Sequence, residues 1–153
     1  MPALELKVPP LALTAITLVL IAAAGLVAPM ASLAFAGHAA AAAIVAGAGL
    51  AVMLGAAAQF RLRRTTLDPR APGKARHFVA TGLYRISRNP MYLGMALMVL
   101  GAALWASEPI SYLLVALFCA YLTEFQIKPE ERILEARFGP EYLAFKARVR
   151  RWL

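Results

Sequence analysis

The sequence predicts an all-α, polytopic membrane protein: about four transmembrane helices, the last two a tight hairpin, followed by a cytosolic helical tail. Three observations carry that prediction. Of 153 residues, 61% are hydrophobic and 16% are charged, whereas a soluble domain carries charge at roughly 25%. The apolar residues gather into runs that approach the ~20 residues a helix needs to cross a ~30 Å hydrocarbon core. All 16 Lys and Arg lie outside those runs.

The first run is about Val8–Met30, opened by Pro9 and Pro10 and closed near Pro29, with no charge inside it. Its length and the lack of a strong basic lead-in argue against a cleaved signal peptide. The second, about Ala39–Phe60, is also uncharged; with the first it forms a pair of helices over 8–60. Within it Gly47, Ala51 and Gly55 recur every four residues. Such spacing lets helix backbones approach closely, and packing inside the bundle is the expected use. The third and fourth runs, about Met91–Ala106 and Ile110–Ile127, are short and joined only by Ser107, Glu108 and Pro109. They read as a hairpin over 91–127. Helix is the expected form throughout, because lipid offers no partner to a free backbone group.

Charge placement sets the expected orientation. Lys7 stands alone near the start, eight basic residues fall in 61–90, and seven lie from Lys128 onward. The connections Ala31–His38 and Ser107–Pro109 hold none. The positive-inside rule then puts both termini, the 61–90 loop and the 128–153 tail in the cytosol, which in a prokaryote means the inner membrane. Anionic lipid accounts for the net charge of +8 more simply than nucleic acid does; the bilayer is the expected partner, and no nucleic acid is. Cys119, inside the fourth run, reads as an inert buried thiol. No metal-ligand set is expected.

Polar residues concentrate in two places. One is the loop Arg61–Pro90, ending in Gly82-Leu83-Tyr84-Arg85-Ile86-Ser87-Arg88-Asn89-Pro90-Met91-Tyr92-Leu93-Gly94. Pro90 suits the first turn of a helix and Asn89 its N-cap. Such a helix start, with free N–H groups beside Arg88, can hold an anionic group. The other is the tail from Lys128-Pro129-Glu130-Glu131-Arg132. There Phe138, Tyr142, Phe145, Val149 and Trp152 recur at helical spacing, with Lys146, Arg148, Arg150 and Arg151 largely off that face. Gly139-Pro140 divides the tail into two helices, the second amphipathic from Glu141 and able to lie in the interface or fold back over the loop. Glu124 is an acid inside a membrane run and so a functional candidate; an i,i+4 pair with Lys128 is the competing reading.

Arg88-Asn89-Pro90-Met91-Tyr92, then Glu130-Glu131 and Phe138-Gly139-Pro140-Glu141-Tyr142, resembles the isoprenylcysteine carboxyl methyltransferase and phospholipid methyltransferase superfamily. The resemblance covers about Arg76 to Trp152, with two motifs in order across a helical hairpin. It implies a membrane methyltransferase that uses S-adenosylmethionine bound at the cytosolic face. It places the cofactor on Arg76, His77, Phe78 and Val79, on Tyr84, on Asn89, Pro90, Met91 and Tyr92, and on Glu130. Aromatic rings suit the adenine or the cationic sulfur, an acid suits the ribose hydroxyls or ammonium, and Arg88 suits the carboxylate.

This sequence departs from the prenylcysteine enzymes in three places. Asn89 stands where they have His, Arg76 stands where they have another His, and Gln126 replaces an Arg that pairs with their substrate carboxylate. A neutral amide cannot take a carboxylate as a guanidinium does, so Gln126, the expected substrate contact, points to a different lipophilic or small methyl acceptor. The implied reaction is in-line methyl transfer, in which alignment and exclusion of water do most of the work. Arg88, Glu124 and His77 are the catalytic candidates, the last two as bases where the nucleophile must lose a proton. Two other classes fit less well. One is a related NADPH-dependent membrane reductase, for which the chain is short; the other is a non-enzymatic membrane interaction protein. Oligomeric state is left open at this level.

Overall fold

The computed structural model describes residues 5–27, 32–62 and 80–153. Every regular element among them is helical: α1 (Pro10–Val27), α2 (His38–Leu62), a 3-10 turn (Gly82–Arg85), α3 (Pro90–Ala106), α4 (Pro109–Leu122), a π-helical turn (Thr123–Ile127), α5 (Lys128–Phe138) and α6 (Pro140–Arg148). Proline opens five of these six α-helices at or next to the first position, where its missing N–H removes a bond that no helix start makes.

The chain is a helical membrane protein. His38–Gln59 and the continuous helix Pro109–Phe138 are long and apolar enough to span a bilayer, and Pro10–Leu26 and Pro90–Ala106 are shorter apolar helices. Leu11, Ile16, Val19, Leu20, Ile44, Leu50, Leu54, Trp105, Leu113 and Leu117 are exposed. So broad an apolar surface is unsuited to water and suited to lipid. The core between the helices holds Ile21, Tyr92, Met95, Val99, Ala103, Phe118, Leu122 and Ile127. Thr14 and Thr17 turn their hydroxyls back onto the carbonyls of Pro10 and Leu13 (both 2.9 Å), which satisfies them within α1. Cys119 is half-buried in α4 rather than fully enclosed.

The main axis is the packing of α2 along α3, and it uses a different face from the one expected. Nothing lies within 4 Å of where a Cβ on Gly47 would sit, and Ala51 is exposed. The contact face runs through Ala42, Ala46, Gly49, Met53 and Ala56. A Cβ on Gly49 would stand 2.6 Å from the Gly94 carbonyl oxygen, and one on Gly101 would stand 2.7 Å from the Ala46 Cβ. Of the predicted trio only Gly55 makes a close approach, to Leu83.

The tail is two helices, divided at Gly139 (φ +48°), but the second ends at Arg148. Val149 is extended, so Trp152 does not continue the helical face. It packs against the main core instead, its indole N–H donating to Thr123 Oγ1 (3.3 Å). α6 folds back over the loop: Tyr142 and Phe145 form a second core with Tyr84 and Ala56.

Candidate functional site

The site is built where the start of α3 meets the start of α5. Asn89 occupies the N-cap of α3 without a side-chain cap bond. Its amide donates instead to the carbonyl of Arg151 (3.0 Å), and its backbone N–H donates to Ser87 Oγ (3.1 Å). The N–H of Arg88 donates to the carbonyl of Arg150 (3.0 Å). The segment after α6 therefore lies across the entry to α3.

In the first turn of α3, the buried Tyr92 donates its hydroxyl to Glu130 Oε1. That bond joins the two motifs across the hairpin. Tyr84, buried in the 3-10 turn, is held neutral: burial foremost, and then the Glu130 carboxylate, raise its phenol well above the ordinary value of 10.0. Tyr142 is raised for the same leading reason, with Glu131 adding to it.

Glu131 faces a different set of partners. Its Oε1 lies 3.2 Å from Arg88 Nη2. Arg151 grips both its oxygens, Nε donating to Oε1 at 3.1 Å and Nη2 to Oε2 at 2.8 Å. The Glu131 and Arg88 side chains are only 7% and 9% exposed. Arg88 Nε and Nη1 are buried, and among the described residues neither has a hydrogen-bond partner. Buried donors without acceptors are rare and unfavourable in folded proteins.

The expected residues divide into three groups. Tyr84, Arg88, Asn89, Pro90, Met91, Tyr92 and Glu130 gather at this end of the bundle, Met91 packing against the Tyr84 core. Arg76, His77, Phe78 and Val79 lie outside the described residues. Glu124 and Gln126 sit in the π-helical turn with partners of their own. Glu124 is 54% exposed and paired with Lys128. Gln126 is buried and donates from Nε2 to the Val8 carbonyl (2.6 Å), leaving Oε1 without a partner among the described residues. The same turn and α5 anchor residues 5–8: Leu6 N–H donates to the Phe125 carbonyl in the turn (2.9 Å), and Glu5 pairs with Arg132 in α5 (2.6 Å).

Sequence reasoning missed Arg151. Only the alternation of Glu130 and Glu131 hinted at it, since adjacent helical residues point about 100° apart and the second acid needs a separate partner.

An apolar groove of about 420 Å³ opens between α1, α2 and α3, lined by Leu18, Ala46, Leu50, Met98, Gly101 and Trp105. It lies along the far half of α3, away from Arg88.

A family model for phospholipid methyltransferase matches residues 35–141. An uncharacterized protein of Haemophilus influenzae is 43% identical over 63 residues, which is 41% of this chain and the whole of the relative. No solved structure matches the chain.

Proposed function

The chain belongs to the phospholipid methyltransferase family, and from that membership and the site geometry we propose that it is an S-adenosylmethionine-dependent methyltransferase acting on a lipophilic, membrane-accessible acceptor. The observation that carries the proposal is the Tyr92–Glu130 hydrogen bond, set beside an Arg88 with two buried N–H donors that have no partner among the described residues. The residues fit the cofactor. Arg88 suits its carboxylate, Glu130 its ribose hydroxyls or ammonium, and the rings of Tyr84 and Tyr92 its adenine or cationic sulfur. When bound, S-adenosylmethionine supplies a methyl already activated by positive sulfur and open to in-line attack.

The protein's own part is positioning and shielding. Tyr92 orients Glu130 through its hydroxyl, and α6 covers the Tyr84 side with Tyr142 and Phe145. Neutral phenols around the site present polar tips without adding negative charge. Arg76, His77, Phe78 and Val79 are proposed to complete the cofactor site. Gln126 offers a methyl acceptor its unpartnered Oε1, since Val8 takes one of its two amide hydrogens. Of the two proposed bases, Glu124 is engaged by Lys128, so a nucleophile that must lose a proton turns first to His77. We place the site, both termini and the basic segments on the cytosolic side of an inner membrane, with the acceptor entering from the bilayer.

The test is calorimetric titration of detergent-solubilised protein with S-adenosylhomocysteine. Saturable binding is expected, and Glu130→Ala should weaken it by about tenfold, the loss of one buried hydrogen-bonding partner. A folded protein that binds none refutes the proposal. Unchanged affinity in the variant removes Glu130 from the site.

A further inference from the structure

One strong interaction has no part in the cofactor site as proposed. Arg151, outside both motifs, holds Glu131 with two hydrogen bonds. We propose that Arg151 is a positioning residue which, by occupying Glu131, keeps the guanidinium of Arg88 open for the carboxylate of the cofactor. The inference rests on the function proposed above and adds to it a residue that sets ligand affinity without touching the ligand.

A carboxylate beside a single guanidinium frequently takes it in a bidentate fork, two N–H groups onto two oxygens. Glu131 does not do so with Arg88. Its Oε2 is taken by Arg151 Nη2 at 2.8 Å and its Oε1 is shared with Arg151 Nε at 3.1 Å. Arg88 is left with one contact, Nη2 to Oε1 at 3.2 Å, while its Nε and Nη1 remain buried and unpartnered among the described residues. The fork that would have closed on Glu131 is instead held half open.

The charges point the same way. Arg88 and Glu131 alone sum to zero, and a neutral buried pair has little pull on an anion. Arg151 makes the three side chains that touch one another, Arg88, Glu131 and Arg151, formally +1 in a place where Arg88 and Glu131 are more than nine-tenths buried and screening by salt is weak. Arg151 itself is 31% exposed, so its side chain can be changed from the solvent side. Its backbone carbonyl, which receives the Asn89 amide, is untouched by a side-chain substitution. The loop and the tail therefore stay tied together when the guanidinium is removed.

The experiment compares two ligands on wild type, Arg151→Gln and Arg151→Lys. S-adenosylhomocysteine carries the amino-acid carboxylate; 5′-methylthioadenosine keeps the adenine, ribose and thioether but lacks it. Wild type should bind both. Arg151→Gln should weaken S-adenosylhomocysteine by about tenfold or more, the worth of a charge-assisted bond, and leave methylthioadenosine within about twofold. Arg151→Lys keeps the charge but not the fork and should lose about threefold for S-adenosylhomocysteine alone. That variant also decides the matter if the Gln variant does not fold. Equal loss for both ligands, or unchanged S-adenosylhomocysteine affinity, overturns the inference and leaves Arg151 a structural tie. Wild type that binds neither ligand refutes the proposed function instead, and this inference falls with it.

Discussion

Tyr92 is the side chain on which the two motifs depend. It sits in the first turn of α3 and is buried, and its hydroxyl donates to Glu130 across the hairpin. Phe at this position keeps the ring and its place in the core that also holds Met95 and Ile127 but removes the donor. A buried acceptor that loses its donor costs about 1–3 kcal/mol. Tyr92→Phe should therefore lower thermal stability in detergent and weaken S-adenosylhomocysteine by about tenfold, because Glu130 is no longer oriented. Calorimetric binding and thermal unfolding on the same preparation check both; a variant that unfolds earlier yet binds normally would separate Tyr92 from the site. Arg88, Tyr92 and Glu130 were legible in the sequence because they are motif residues flanking a hairpin. Arg151 was not. It sits among Arg148 and Arg150, and a cluster of cations beside a membrane run reads equally well as lipid contacts. Only the fold, which brings it 20 residues back to Glu131, distinguishes it from its neighbours.

At the scale of elements, helix existence was easy to read and helix facing was not. Prolines and charges mark where the apolar helices begin and end. The face α2 turns to α3 could not be found by spacing, because α2 is rich in Ala and Gly on every side. A four-residue repeat through Gly47, Ala51 and Gly55 is therefore no better marked than the true face. That face advances by fours and threes from Ala42 to Ala46, Gly49, Met53 and Ala56, the average step of ~3.5 that keeps two crossing helices in contact. Two matched substitutions test it. A Cβ on Gly94 would stand 2.6 Å from the Gly49 carbonyl oxygen and 2.7 Å from Met53, whereas one on Gly47 meets nothing within 4 Å. Gly94→Ala should destabilise by about 1–3 kcal/mol through overpacking. Gly47→Ala should be neutral or slightly stabilising, since Ala is the better helix former. Thermal unfolding that ranked the two equally would show that α2 and α3 do not cross at Gly49 and Gly94.

At the scale of the whole molecule, the bonds between distant segments sort the chain into two ends. At one end, residues 5–8 bind the turn after α4 through Phe125 and Gln126, Glu5 meets Arg132, and the segment after α6 crosses the start of α3. At the other, the connection before α2 meets the hairpin turn, the Leu33 N–H donating to the Ser107 carbonyl (2.7 Å). The described Lys and Arg side chains belong to segments of the first end; the second end has none among its described residues. Four apolar helices that return the tail to the end where residues 5–8 dock fit a polytopic arrangement with both flanks on one side. The orientation proposed above puts that side in the cytosol, as the positive-inside rule would. Single cysteines in a Cys119→Ser background test it, one replacing Ala36 at the uncharged end and one replacing the exposed Lys146 on α6. A membrane-impermeant maleimide should label the Ala36→Cys protein in bacteria with a permeabilised outer membrane, and the Lys146→Cys protein only once the inner membrane is broken. The reverse pattern would turn the molecule over and put the proposed site outside the compartment where S-adenosylmethionine is made. Labelling of both positions from outside would mean that the chain does not return the tail to the side of residues 5–8, and the bundle described above would not be the arrangement in the bilayer.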